Sequence, residues 1–235
     1  MSNFTYEGSE LNVFSKAKNF KRYYYELAKN YISYSQNVLE LGAGIGSQTL
    51  TFSSKVNFSS WTCIEPDKNN FHTLKSEFSH DKRFSLIRSS IDDFQTDKKF
   101  DLILLADVLE HIPNDSSALN YLLSLLSDNG ILLVYVPACQ FLFSTFDSSI
   151  GHFRRYSIPT LMQIIPPKSS IKCIKYFDSV GFILSLLNKL FLKSASPSLK
   201  QILFWDRIVV PLSNVFDKLL NYKFGKNIFC VIKNV

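Results

Sequence analysis

Along this chain the apolar residues come in short dense runs, separated by stretches with helical spacing. Val38–Leu41, Ser60–Ile64, Phe84–Arg88, Phe100–Ala106 and Ile131–Pro137 are such runs. They lack a steady polar–apolar alternation, so they predict strands buried on both faces, as in a parallel sheet. Between them the period changes. Residues 47–55 predict a first crossover helix, and Phe71, Leu74 and Phe78 stripe a second that Pro66 and Asp67 start. Leu119, Leu122, Leu123 and Leu126 stripe a third, opened by Pro113 and Asn114, and Asp128-Asn129-Gly130 reads as the turn before the fifth strand. Strands alternating with helices predict an α/β fold with an open, doubly wound parallel sheet and right-handed crossovers.

Two further regions flank this pattern. At about 11–35, Phe20, Tyr24, Leu27, Ala28 and Tyr31 share one helical face and predict an N-terminal helical cap. Lys18, Lys21, Arg22 and three tyrosines give it a basic-aromatic look. Such a mix can bind nucleic acid, but an amphipathic helix with snorkelling bases is the favoured reading. Strands are expected at Ile171–Phe177 and Asn227–Ile232, the first preceded by a helix starting at Ser157 and Pro159. Residues 178–225 between those strands are too many for a plain loop. Val180–Leu192 is strongly apolar, and Leu212, Val215, Phe216, Leu219 and Leu220 form a helical face after Pro211. A helical insertion packed onto the core is expected, with peripheral membrane contact as the alternative.

The chemistry gathers at strand tips. The first strand ends in Glu40-Leu41-Gly42-Ala43-Gly44-Ile45-Gly46. Glycine is required where φ is positive or a ligand approaches the backbone, so a nucleotide at this edge is expected. The spacing is G-x-G-x-G, not the G-x-G-x-x-G of dinucleotide sites. Glu40 suits a ligand carrying positive charge. Glu65 follows the second strand, 19 residues beyond Gly46, a distance that places a carboxylate at a ribose.

Together these residues resemble motif I and its partner acid in the class I S-adenosylmethionine (SAM)-dependent methyltransferases. The resemblance covers about residues 36–177 and the last strand. It implies a seven-stranded, mostly parallel sheet in the order 3-2-1-4-5-7-6 with the last strand antiparallel, and SAM as cofactor. It implies cofactor contacts from Glu40, Gly42, Gly44, Gly46, Glu65, Pro66 and Asp107. At the adenine position Ser90 stands where the family often has an acid, followed by Ile91, with Asp92 two residues late. Asp107 to Ile112 resembles the motif IV region, with its Leu109-Glu110-His111 ending. The same Asp-x-x-Glu-His pattern resembles the ligand segment of metal-dependent quinone-pathway O-methyltransferases. That ending is also widespread in metal-free relatives and one histidine is a weak metal signal. Capping or packing is therefore favoured, and no metal is assigned.

Residues 138–160 hold the densest polar cluster: Asp147, His152, Arg154, Arg155 and Tyr156. Gly151-His152-Phe153-Arg154-Arg155-Tyr156 resembles a GHxRRY signature in a branch of these enzymes often tied to surface-sugar pathways. His152 is the candidate base, since imidazole is the side chain that titrates nearest neutrality. Arg155 and His111 are the other catalytic candidates. One arginine is expected to be structural, with Asp147 as its candidate partner, and the other to face an anionic or sugar-bearing substrate. Tyr156 is expected to stack on a sugar or ring. The reading is methyl transfer to a small-molecule or glycan acceptor, at a hydroxyl. The alternatives are a non-catalytic SAM-fold binding module and a methyltransferase acting on protein or nucleic acid.

Composition changes this picture little. At 235 residues and 46% hydrophobic content, one domain spanning 1–235 with a large core is expected. The net charge of +6 tolerates anions without demanding nucleic acid, and no nucleic-acid partner is expected. Cys63, Cys139, Cys173 and Cys230 form no C-x-x-C pair and read as reduced thiols. No signal-like start at Met1–Glu7 and no run of about 18 apolar residues is found, which fits a cytoplasmic protein. Nothing here sets the oligomeric state.

Overall fold

The computed structural model describes residues 10–32, 35–192 and 198–234. Met1–Glu7, two residues of the expected cap and residues 193–197 of the insertion lie outside these. The chain runs through helices α1 (Glu10–Phe14) and α2 (Lys18–Ala28), then strand β1 (Asn37–Leu41), α3 (Ser47–Ser53), β2 (Ser60–Ile64), α4 (Lys68–Phe78), β3 (Phe84–Ile87) and β4 (Phe100–Ala106). It continues with α5 (Asp115–Ser124), β5 (Leu126–Pro137), α6 (Thr145–Ser149), α7 (Ile158–Ile164), β6 (Ser169–Phe177), α8 (Ser179–Leu187), α9 (Leu199–Phe204), α10 (Val210–Leu219) and β7 (Asn227–Asn234). Wide helical turns at Asn188–Leu192 and Trp205–Val209 extend α8 and join α9 to α10.

The sheet has seven strands in the order 3-2-1-4-5-7-6. Strands β1 to β5 are parallel, and β7 runs antiparallel between β5 and β6. Two apolar layers cover its faces, one with Trp61, Leu104 and Tyr135 and the other with Leu39, Leu105 and Val134. Register sets the position of the site. Leu41 pairs with Ile64 and with Leu105, and Ile64 pairs with Ile87. The residues just past these strands therefore meet at one edge, at the point where the chain order reverses between β1 and β4.

Two boundaries differ from the sequence expectation. The turn Asp128-Asn129-Gly130 lies inside β5, where the pairing jumps from Phe100–Leu126 to Leu102–Ile131. The chain bulges out and rejoins the same strand, so Leu126 belongs to β5 and not to the preceding helix. In the cap, Tyr23 is buried beside Tyr24, Leu27 and Ala28, and the tyrosines serve the body of the fold. Tyr24 stacks on Tyr135 at 4.2 Å and Tyr23 donates a 2.7 Å hydrogen bond to Asp217. Lys21 is also drawn in, giving its ammonium to the carbonyls of Phe14 and Ser15 at the end of α1.

The insertion differs most. Leu212, Val215, Phe216, Leu219 and Leu220, expected in the core, are exposed. Val210, Ser213 and Asp217 of α10 face inward instead. The reason is that polar anchors fix the helix. Asp217 accepts backbone N–H bonds from Asp178 (2.6 Å) and Ser179 (2.9 Å), and Asp178 accepts from Ser213 Oγ (2.6 Å). Asp206 accepts from Phe20 N at 2.9 Å. Once those acids face the body, the apolar stripe on the opposite side has to face out.

Candidate active site

The strand tips and the N-terminal helices enclose a cavity of about 690 Å³. At its floor the three glycines do different work. A side chain at Gly42 would overlap Val108, and one at Gly46 would overlap Phe78 and Leu74, so these two permit close packing. Gly46 does not line the cavity, against its expected cofactor role; it caps α3 instead. Gly44 does line it, at φ +56°, and a Cβ there would project into open space with only Leu11 Cδ1 at 3.8 Å. It is a cradle that a side chain would fill.

Glu65 is buried, and both its oxygens hold backbone. Oε2 accepts from Gly44 N (2.7 Å) and Oε1 from Asp67 N (3.0 Å). The acid thus shapes the glycine turn, while a carboxylate keeps lone pairs for further donors. Burial raises its pKa against those hydrogen bonds. Glu40 is buried under the turn with Trp61 Nε1 donating at 2.9 Å, and burial raises it to about 7. Asp107 is exposed only in the sense that it faces the cavity. Its backbone is left-handed at φ 57°, and Tyr24 donates its hydroxyl to Oδ2 at 2.7 Å. The surrounding protein raises its pKa to about 6. Pro66, Ser90 and Ile91 line the same cavity.

At the other end the loop after β5 folds against the tip of β4, and Phe153 N donates to the Glu110 carbonyl at 2.9 Å. His152 Nδ1 lies 3.0 Å from Asp147 Oδ1, and its Nε2 lies 3.7 Å from Glu110 Oε1. Asp147 is fully buried. It also accepts from Arg155 Nε (2.9 Å) and Ser144 N (2.8 Å). Burial pushes its pKa up, but the hydrogen bonds from His152, Ser144 and Arg155 hold it well below the usual carboxylate range. The ionised Asp147 fixes the imidazole with its other nitrogen toward the cavity. The His111 ring stands edge-on to His152 at 4.5 Å, and burial keeps it neutral with a pKa of about 4.

Several expectations for this loop are corrected. Arg155 is bound to Asp147, and Arg154 Nη1 is paired with Asp115 at 2.6 Å, so both guanidiniums already hold carboxylates. Tyr156 is buried and donates to Asp115 Oδ2 at 2.8 Å, so it does not stack on a ligand. Asn114, and not Glu110 or His111, caps α5. Glu110 is fully buried, lines the cavity and, among the described residues, has no hydrogen-bond partner on either oxygen. Burial, with Asp107 nearby, raises its pKa strongly. The fold also brings in Tyr24 and Trp205, which sequence reading did not place here. Tyr24 sits in the amphipathic α2 and Trp205 in the wide turn after α9, where nothing in the sequence distinguishes a lining aromatic from a core one.

This sheet order, with a glycine turn after β1 and an acid after β2 at one edge, defines the class I SAM-dependent methyltransferase fold. Residues 39–132 match the family model described as a methyltransferase domain. Among curated proteins, the mitochondrial ubiquinone biosynthesis O-methyltransferase of Dictyostelium discoideum is 27% identical over 160 residues, 61% of this chain and 48% of that protein. The match thus spans about half the length of that relative. Among solved structures, the N-methyltransferase NodS of Bradyrhizobium japonicum WM9 with S-adenosyl-L-homocysteine aligns with a TM-score of 0.62 at 13% identity, over 97% of this chain and 93% of that one. The plantazolicin methyltransferase BpumL, with a substrate analogue and the same product, aligns at 0.57 and 17% identity, over 97% and 86%. These likenesses establish the fold.

Proposed function

We propose that this chain is a SAM-dependent methyltransferase that methylates a hydroxyl of a small-molecule or glycan acceptor, with His152 as base. The observation that carries this is the Asp147–His152 pair aimed into a cavity whose far end is the Gly44–Glu65 cradle. SAM, when bound, supplies a methyl group activated on a sulfonium. Gly44 would leave the space it needs, Glu65 would offer lone pairs to its ribose hydroxyls, and Ser90 and Ile91 would serve its adenine end. Asp107 and Glu40 supply negative charge beneath a cationic ligand. SAM held there would give up its methyl group with cleavage of the sulfur–methyl bond and leave as the neutral thioether, while His152 Nε2 would take the acceptor's hydroxyl proton and Asp147 would steady the imidazolium. Alignment of acceptor and methyl supplies much of the remaining rate. The Dictyostelium relative is named an O-methyltransferase, which agrees with an oxygen acceptor. The occupied guanidiniums withdraw the argument for an anionic one. The test is a screen of hydroxyl-bearing acceptors with labelled SAM, in which label on oxygen supports the reading and label on nitrogen or nucleic acid opposes it.

A pH dependence follows. Glu40 and Asp107 titrate at about 7 and about 6, both above the usual carboxylate range. Each gains a proton as pH falls through its value, and a neutral carboxyl no longer attracts a cation. SAM affinity is therefore expected to fall by roughly tenfold between pH 8 and pH 5.5. Calorimetry across that range checks it, and a flat profile removes these acids from the cation's surroundings.

A second reading is favoured by Glu110. Its carboxylate and the rings of His111 and His152 offer three ligand atoms within 4.8 Å of one another. The second histidine, absent from the sequence pattern around residue 110, arrives from the β5 loop. Such a set fits a divalent cation, with Asp147 orienting His152 from behind. The cation would lower the acceptor hydroxyl's pKa, and His152 would be a ligand in place of a base. Activity is expected to persist after exhaustive chelation; loss that an added divalent cation restores selects the second reading.

A further inference from the structure

The helical segment between β6 and β7 points its charges in opposite directions. Its acids Asp178, Asp206 and Asp217 are all buried. Five of its bases, Lys189, Lys200, Arg207, Lys218 and Lys223, are exposed, while Lys226 is drawn in beside Asp178. Beside them Ile208, Leu212, Val215, Phe216 and Leu219 recur at i, i+4, i+7, i+8 and i+11, a single stripe 45% to 74% exposed. Ile183, Leu184, Leu187 and Leu190 form a second stripe on α8 and its wide turn, 40% to 59% exposed. Helices α8 and α10 pack on each other, so both stripes belong to one unit. Single exposed apolar residues are ordinary, but nine on one unit mark a contact surface.

We propose that this surface docks on an anionic lipid membrane. The stripes enter the headgroup boundary and the flanking bases meet lipid phosphates. Charge decides the occupant: with every acid turned inward, the outer face is apolar and positive, which complements a negatively charged bilayer. A second copy of this chain would bring the same bases face to face, which is unfavourable. No described helix is long and apolar enough to cross a membrane, so the unit lies on the surface. The proposal stands apart from the catalytic reading, because none of these residues lines the cavity.

Co-sedimentation with large vesicles tests it, using mixed phosphatidylglycerol and phosphatidylcholine against phosphatidylcholine alone. The full chain is expected to bind the anionic vesicles, with binding that weakens in salt. Val215→Glu with Leu219→Glu, at positions 58% and 74% exposed, is expected to fold normally by thermal melt and to lose binding at least tenfold. Lys200→Ala, Arg207→Ala and Lys218→Ala together are expected to weaken anionic-vesicle binding roughly a hundredfold. The proposal is overturned if the folded wild type ignores anionic vesicles, or if the double glutamate variant binds them as well as wild type. It is also overturned by a dimer in sedimentation that the glutamates abolish while vesicle binding is absent.

Discussion

Replacing His152 with alanine is expected to cut methyl transfer by roughly a hundredfold or more while leaving SAM affinity nearly unchanged. The ring is hydrogen-bonded on its Nδ1 side, while Nε2 stands 3.7 Å from Glu110 Oε1. Asp147 takes Nδ1 at 3.0 Å, and Arg155 and Ser144 hold Asp147 in turn, so the cavity-facing nitrogen is preset for proton transfer. Among the described residues no hydrogen bond joins His152 to Gly44 or Glu65. The cofactor end therefore survives its loss. Turnover with labelled SAM and calorimetric affinity are the two readouts. Asp147→Asn is expected to act in the same direction, because an amide in place of the carboxylate no longer selects the Nδ1–H tautomer. If SAM binding falls in step with turnover, the loop after β5 is a cofactor lid. Full activity in His152→Ala would take the residue out of the chemistry.

The second large effect is at the glycine turn. Gly44→Leu is expected to abolish SAM binding in a protein that still folds. The new Cβ lies at the cavity lining in ordinary contact with Leu11 Cδ1 at 3.8 Å, its one near neighbour among the described residues. The fold bears only the strain of a non-glycine residue at φ +56°, about 1–2 kcal/mol. Gly42→Ala and Gly46→Ala should behave in the opposite way. Their Cβ atoms overlap Val108 and Phe78, so they should destabilise by about 1–3 kcal/mol through overpacking. Thermal melts beside calorimetry separate the two classes. Equal behaviour of all three variants would make Gly44 a turn residue like the others.

Much of the sheet was legible because buried parallel strands leave dense apolar runs. Phe100–Ala106 and Ser60–Ile64 could be bounded from the sequence alone, and Glu65 from its distance to the glycines. Other features depend on contacts between distant segments. The pairing of one arginine with Asp147 was expected, but nothing near Arg154 in sequence says that Asp115 will take it, so a fork that looked available to substrate is already occupied. The stripe at Leu212–Leu219 has a helical period whether it faces core or solvent. Its direction was set by Asp178, Asp206 and Asp217, whose partners lie at Ser213, Phe20 and Tyr23. Glu110 looked like part of a helix start, and only the fold shows a buried carboxylate without a hydrogen-bond partner among the described residues, facing two imidazoles.

The most direct measurement is a calorimetric titration of this chain with SAM, run beside Gly44→Leu and against a nicotinamide dinucleotide. The expected result is saturable binding at one site, lost in Gly44→Leu and not matched by the dinucleotide. Absence of SAM binding by the folded wild type, or equal binding by Gly44→Leu, would contradict the placement of the cofactor in the cradle formed by Gly44 and Glu65.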